Sequence, residues 1–380
     1  MQQRFYNLDG LRFLAATIVV ISHVESIKKA FGLHYVVNRL LRDGAQLAVT
    51  FFFVLSGFLI AWLLLKEKKE RQDDKINVFR FYKKRILRIW PLYYLLVLLV
   101  FVVIGRLDFF RVDYGRGNEF GTTAYWQKMT GYLFFLPNYT GIRYGGFVYI
   151  SHAWSLGVEE FFYLFFPVGI CFIRSGYIKA FLVAILIASL AVSIGIQLLI
   201  PDPSGAEFYL RGFAISYRLY SFALGALAAY LFLNQQLRVV IAAIRFLKNK
   251  TVITIGILVV LTLLLTGTTF SHFTQPVYSL LFAMFIFAVS VTGIRLWFIN
   301  TSPVRYLGKI SYGIYMFHPL AIVIAVKCAM GATSSSGGIV FNVLIYGLSI
   351  TLAISLAMLS YETYEKFFLK YARKKKGDTI

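Results

Sequence analysis

LDGLRFLAATIVVISHV, Leu8 to Val24, opens the chain's first apolar segment and governs how the rest is read. It is apolar enough to enter a bilayer, yet it carries Asp9, Arg12 and His23. A helix rises about 1.5 Å and turns roughly 100° per residue. Arg12 and His23 therefore fall about three turns apart on nearly the same face, roughly 16 Å along the axis. In a membrane-crossing helix Arg12 lies near one surface and His23 well inside or toward the other. Ionisable groups so placed are costly and point to function. The competing reading has Arg12 snorkelling to the headgroups and His23 bonded to a neighbouring helix.

Outward from this stretch, similar apolar segments recur to the end of the chain. Of 380 residues, 59% are hydrophobic, 18% aromatic and only 15% charged, and the mean hydropathy is +0.70. A soluble domain carries nearer about a quarter charged residues. The expected fold is all-α, a polytopic transmembrane helical bundle of about ten spans, because each segment of roughly 20 apolar residues suffices to cross a bilayer. The spans fall near 11–30, 45–65, 88–105, 153–173, 179–200, 213–233, 252–270, 275–293, 308–327 and 338–360. Residues 1–365 make one membrane domain and 366–380 a basic cytoplasmic tail. The first helix stays in the mature protein, since Asp9 interrupts the early positive charges and no small-x-small cleavage site follows.

The net charge of +22 suggests nucleic acid only until its distribution is seen. The stretch Lys66–Arg88 holds ten Lys and Arg residues, and Lys366, Lys370, Arg373, Lys374, Lys375 and Lys376 crowd the C-terminus. Arg174, Lys179, Arg238, Arg245, Lys248, Lys250, Arg295, Arg305 and Lys309 fall in alternate connections. With ten spans all of these share one side, which makes both termini cytoplasmic and the partners anionic lipids rather than nucleic acid. Lys28, Lys29, Arg39 and Arg42 weaken that bias without reversing it. The longest outer segment, Arg106–Ser151, contains Asp108, Asp113 and Glu119 and is long enough to shape a binding surface. Cys171 and Cys328 are too few for a disulfide framework, lack metal-ligand spacing and read as core residues.

Polar residues that a membrane should not tolerate mark the candidate site. Ser56-Gly57, in an aromatic-rich helix, either line a cavity or let helices approach closely. Arg85 and Arg88 share a helix face and can grip one anionic group, such as the phosphate of a cytosolic ligand. Ordinary positive-inside anchoring accounts for them equally well. The segment from His152 and Trp154 to Glu159 and Glu160 brings two carboxylates into an apolar helix, each costing several kcal/mol unless paired or hydrated. His152 and Glu159 share a face. Arg218 is either a counter-ion for these carboxylates or a contact for polar substrate. Ser311, Tyr315 and His318 form a polar stripe that lines a cavity or bonds across helices. His34 and His272 lie in loops and receive no role, and no metal is implied.

Five segments in order resemble the acyltransferase-3 family of integral membrane acyltransferases. Leu8-Asp9-Gly10-Leu11-Arg12 with His23 is similar to its Arg-x10-His motif, and Phe51–Leu59 to its FFxLSGFL helix. Arg85–Pro91 resembles RxxRIxP, Trp154–Tyr163 resembles WSLxVEExFY, and Leu307–His318 resembles LGxxSYxIYxxH. Phe161 stands where Gln is frequent, and Lys366 replaces the proline of a terminal ExP pattern. The hydrolase-like domain fused to some members is not expected here.

The resemblance implies O-acylation of a glycan, most often acetylation from cytosolic acetyl-CoA to a sugar outside a bacterial inner membrane, with no metal. His23 is then the general base. Glu159, before Glu160, orients the imidazole, while Arg12, Arg85 and Arg88 hold acyl-CoA. Ser56, His152, Trp154, Arg218, Tyr315 and His318 line the cavity or touch substrate. Direct transfer needs fewer steps than a covalent acyl group on Tyr315. Polysaccharide-assembly proteins are possible partners, and the oligomeric state stays open. The competing class is a transporter of a lipid-linked sugar or acyl donor, which also shows buried ionisable groups but commonly carries an internal repeat that this chain lacks.

Overall fold

A computed structural model describes residues 5, 7–36, 38–71, 74–112, 120–247, 249–332 and 338–373. Lys248, Lys374, Lys375, Lys376, Asp113 and Glu119, invoked above, lie outside the described residues. Those described form helices and no strand. In chain order the helices are α1 (Leu8–Ala30), α2 (Arg39–Glu70), α3 (Val78–Leu98), α4 (Thr123–Leu133), α5 (Pro137–Tyr144), α6 (Trp154–Phe172), α7 (Ile178–Leu199) and α8 (Gly205–Ser216). There follow α9 (Leu219–Leu233), α10 (Arg238–Leu247), α11 (Lys250–Thr266), α12 (Thr274–Thr292), α13 (Ser302–Lys309), α14 (Ser311–Ala332), α15 (Ile339–Ser360) and α16 (Lys366–Arg373).

Among the described residues nine helical segments are long and apolar enough to cross a membrane. The tenth expected span is α11, whose 17 residues reach about 26 Å at ~1.5 Å per residue, near the lower limit for crossing. Other boundaries moved for identifiable reasons. The basic stretch read as a loop is mostly helix, because α2 continues to Glu70 and α3 begins at Val78 behind an Asn77 side chain that accepts the Arg80 N–H. The span expected from residue 213 starts at Gly205 and breaks at Tyr217–Arg218. The described residues of Arg106–Ser151 are no open loop. They carry α4 and α5 and bury Tyr125, Tyr132, Phe147 and Tyr149, whose rings outweigh the segment's glycines. Cys328, expected in the core, is exposed, and Cys171 is half-buried.

The chain forms two compact units. The first comprises residues 1–15, 43–76 and 158–308. Here α2 and α9 cross with their backbones in contact at Gly57 and Gly225, and Phe222 stacks on Phe53 and Phe162 with ring centroids 4.7 and 4.4 Å away. The start of α1 is clasped by the later chain. The Asn7 side chain donates to the Ile294 carbonyl at 2.6 Å and accepts from the Leu296 N–H at 2.9 Å. Gly308 lies directly against the Asp9 backbone.

Also in this unit, Asp74 accepts the Ser175 hydroxyl and, at 3.0 Å, the Ser175 N–H, while Lys68 approaches to 3.5 Å. These contacts, the Ser175 hydroxyl foremost, hold its carboxyl below the ordinary range. A carboxyl with a depressed folded pKa stabilises above its unfolded value, near 3.9, and that contribution is lost as pH falls through the lower folded value. Asp74→Asn is therefore expected to flatten the fall in thermal stability below about pH 4 in detergent. Since the Asp74 side chain is 41% exposed, the effect should stay below about 1 kcal/mol. An unchanged pH profile would remove Asp74 from the acid transition.

The second unit comprises residues 16–42, 77–157 and 309–380. Its most enclosed element is α14, buried from Gly313 through Val323, and α15 meets it where Gly313 touches Ala357. Tyr93 of α3 stacks on Phe135 at 4.2 Å and donates to the Tyr132 carbonyl at 2.7 Å, which ties the folded 106–151 segment to α3. Residues 366–373, read as the start of the tail, form α16, which packs against α3.

Candidate functional site

Three histidines far apart in sequence meet in the second unit. The His318 ring lies 4.8 Å from that of His23 and 4.7 Å from that of His152, centroid to centroid. Tyr315, one turn before His318, completes the group at 5.2 Å from His152. Its hydroxyl donates to the His152 carbonyl at 2.9 Å and lies 2.7 Å from the Ser155 hydroxyl. His318 and His152 are buried, and His23 is half-buried.

Local sequence explains how two of these rings are held. Pro319 has no N–H, so in a helix it leaves the carbonyl four residues back without its usual donor. That carbonyl belongs to Tyr315, and His318 Nδ1 donates to it at 2.6 Å. His23 Nδ1 donates to the Val19 carbonyl at 2.9 Å, again one turn back. A carbonyl only accepts, so each Nδ1 carries hydrogen, and in the neutral ring each Nε2 keeps its lone pair. The His318 Nε2 and both His152 nitrogens are buried without a hydrogen-bond partner. Each unmet polar group costs about 1–3 kcal/mol, so the cluster suits water or a polar group of a substrate. Among the described residues, no group of three His, Cys, Asp or Glu side chains is placed to hold a metal ion.

Around this cluster the second unit contains ionisable groups that the sequence reading passed over. Lys28, counted among loop charges, is 1% exposed and pairs with the buried Glu25 at 2.8 Å. Their spacing inside an apolar helix was the available signal. Lys128 of α4 is also buried, and desolvation pushes its ammonium down to about 8. Arg85 sits over the Phe81 ring at 5.7 Å, Arg88 is exposed within the field of Glu365, and Trp154 is half-buried at the start of α6.

The remaining candidates belong to the first unit. Ser56 donates to Glu159 and accepts the Tyr163 hydroxyl at 3.3 Å, so close helix packing falls to Gly57 while Ser56 engages a carboxylate. Glu160 is half-buried one residue on. Arg218, fully enclosed, donates to Gln46 Oε1 at 2.7 Å and Thr50 Oγ1 at 3.0 Å, and Thr50 donates to Gln275 at 2.5 Å. Arg12 pairs with Asp9 at 3.2 Å, the intrahelical alternative to ligand binding.

An all-α membrane bundle with clustered histidines, one of them half-open, defines a membrane-embedded protein built for polar chemistry. The family model for an acyltransferase domain matches residues 5–359. This chain belongs to that acyltransferase family. It is similar to the O-acetyltransferase OatA of Staphylococcus aureus strain NCTC 8325, with 26% identity over 98% of this chain and 57% of the relative. OatA of strain MRSA252 matches with the same identity and coverage. The chain thus spans just over half the length of these relatives. No solved structure matches it.

Proposed function

We propose that this protein is a membrane O-acyltransferase that moves an acyl group, acetyl foremost, from cytosolic acyl-CoA to a hydroxyl of an extracytoplasmic or lipid-linked glycan. The observation that carries this reading is the His23 ring, held through Nδ1 with Nε2 free to accept a proton, in a family of acyltransferases. The acceptor hydroxyl gives its proton to His23 Nε2 as its oxygen attacks the thioester carbon. The C–O bond forms, the C–S bond breaks, and the coenzyme A thiolate leaves and recovers the proton from the imidazolium. A positioned base of this kind contributes typically 10²–10⁴-fold. The Val19 carbonyl serves at Nδ1, where a carboxylate stands in a catalytic triad. Glu159 accepts the Ser56 hydroxyl within the first unit, to which Glu160 and Arg218 also belong. His152, His318 and Trp154 contact substrate, and the Tyr315 hydroxyl, shared by Ser155 and the His152 carbonyl, favours direct transfer over an acyl-tyrosine.

On this reading the protein sits in a bacterial-type inner membrane with ten spans, α11 included, and both termini in the cytoplasm. The acceptor is a cell-surface polysaccharide or similar glycan, and polysaccharide-assembly proteins are partners. Arg85 and Arg88 supply the charge for the donor phosphates, and Arg12 is a further candidate for that role.

The test is transfer of radiolabelled acetyl from acetyl-CoA to glycan by the purified protein in detergent. Failure of labelled acceptor to form with any acyl-CoA would overturn the assignment. Removing one charged hydrogen bond costs about 1.5–3 kcal/mol. Arg85→Ala is therefore expected to raise the donor KM tenfold or more while kcat recovers at saturating acyl-CoA. A fall in kcat at unchanged KM would exclude Arg85 from ground-state donor binding.

A further inference from the structure

His23 looks toward His318 from one side of α1, and Glu25, two residues on, projects about 200° around the helix from it. The Glu25 carboxylate accepts from Lys28 Nζ at 2.8 Å, the Tyr346 hydroxyl at 2.5 Å and the Val36 N–H at 2.5 Å. Lys28 also donates to Asn342 Oδ1 at 2.8 Å, and the Asn342 amide donates to the Gly338 carbonyl at 3.1 Å. Two residues of α1, three apart, are thus held by two residues of α15, four apart, and every one of these groups is paired. The carboxylate and the ammonium are both buried.

A buried ion pair is seldom the most stable choice, since apolar residues of the same volume often do as well or better. What it offers is direction. Helices in lipid lack a hydrophobic force that fixes their rotation, so hydrogen bonds between them carry that information. A roll of α1 by about 20° would move a side-chain tip by about 2 Å. Misplacement by about 1 Å can already cost on the order of 10²-fold in rate.

We infer that Glu25, Lys28, Tyr346 and Asn342 form a positioning network that sets the roll of α1 against α15 and so aims His23 at the reacting hydroxyl. This rests on His23 acting as the base. The four residues touch no reacting atom, and their effect passes through His23 alone.

The decisive variant is Glu25→Gln/Lys28→Met, which removes both charges at nearly constant volume, measured beside His23→Ala in the acetyl-transfer assay. The double variant should reach the membrane at the normal level and keep the donor KM within twofold, while kcat falls tenfold or more. A merely structural pair would lower the amount of folded protein and leave kcat per folded molecule unchanged. Wild-type kcat in the double variant, beside an inactive His23→Ala, overturns the positioning role and leaves the base standing. Full activity of His23→Ala overturns both. If the double variant does not accumulate, Tyr346→Phe decides, because it removes one hydroxyl from Glu25. A threefold or greater fall in kcat at unchanged KM supports the network, and no change overturns it.

Discussion

His23→Ala is expected to lower acetyl transfer by 10²–10⁴-fold, about 3–5 kcal/mol in the barrier, with normal membrane levels and little change in donor KM. The ring is half-buried, so its loss leaves a modest cavity rather than a collapsed core. Its Nδ1 partner is a carbonyl of its own helix, which retains its ordinary backbone donor when the imidazole is removed. Neither feature makes His23 a structural keystone, so a large loss of rate has to come from lost proton transfer. His34, exposed beyond the end of α1, is the matched control, and His34→Ala should behave as wild type. A His23→Ala protein within threefold of wild type would end the base assignment and leave His152 and His318 as the rings to examine.

Much of this was legible because membranes punish polarity. The spans stood out by length and apolarity, and ring-bearing or charged residues inside them stood out against that background. What the chain order could not convey was which of those residues meet. His23 and His318 lie on α1 and α14 and His152 in the turn just before α6, and no periodicity within one segment relates them. The motifs also divided in ways their letters concealed. Asp9 and Gly308, from the first and last matched segments, meet backbone to backbone, while Tyr312 reaches the Ile89 carbonyl at 2.9 Å. These are fold contacts beside the candidate site residues of the same motifs. Charge near a helix end ordinarily means solvent, but Lys28 is buried by its partners Glu25 and Asn342, with Tyr346 bonded to the same Glu25 carboxylate. The helices within Arg106–Ser151 were hidden by glycines and tyrosines, whose local preference is overruled by packing of Tyr125 and Tyr132 against Phe101.

The second large effect is expected at Gly225, where α9 crosses α2. A Cβ there would lie 2.0 Å from the Val54 carbonyl oxygen, and one at Gly57 would lie 2.1 Å from the Phe222 carbonyl oxygen. Both obstructions are backbone, so no side chain can swing aside, and the helices must part by more than about 1 Å to restore an ordinary contact. In lipid such close approach is itself the source of helix association, because small residues maximise backbone packing. Separation would also loosen the stacks that Phe222 makes with Phe53 and Phe162 and would disturb Ser56, the neighbour of Gly57 that holds Glu159. Gly225→Val should therefore destabilise the first unit by about 3 kcal/mol or more, beyond the usual cost of overpacking an adaptable core. The expected result is loss of most protein from the membrane and a lowered melting temperature for whatever is recovered in detergent. Gly195→Val on α7, where a Cβ would meet nothing within 4 Å, should leave both measurements unchanged. Equal behaviour of the two variants would mean that the α2–α9 crossing is looser than its backbone contacts require.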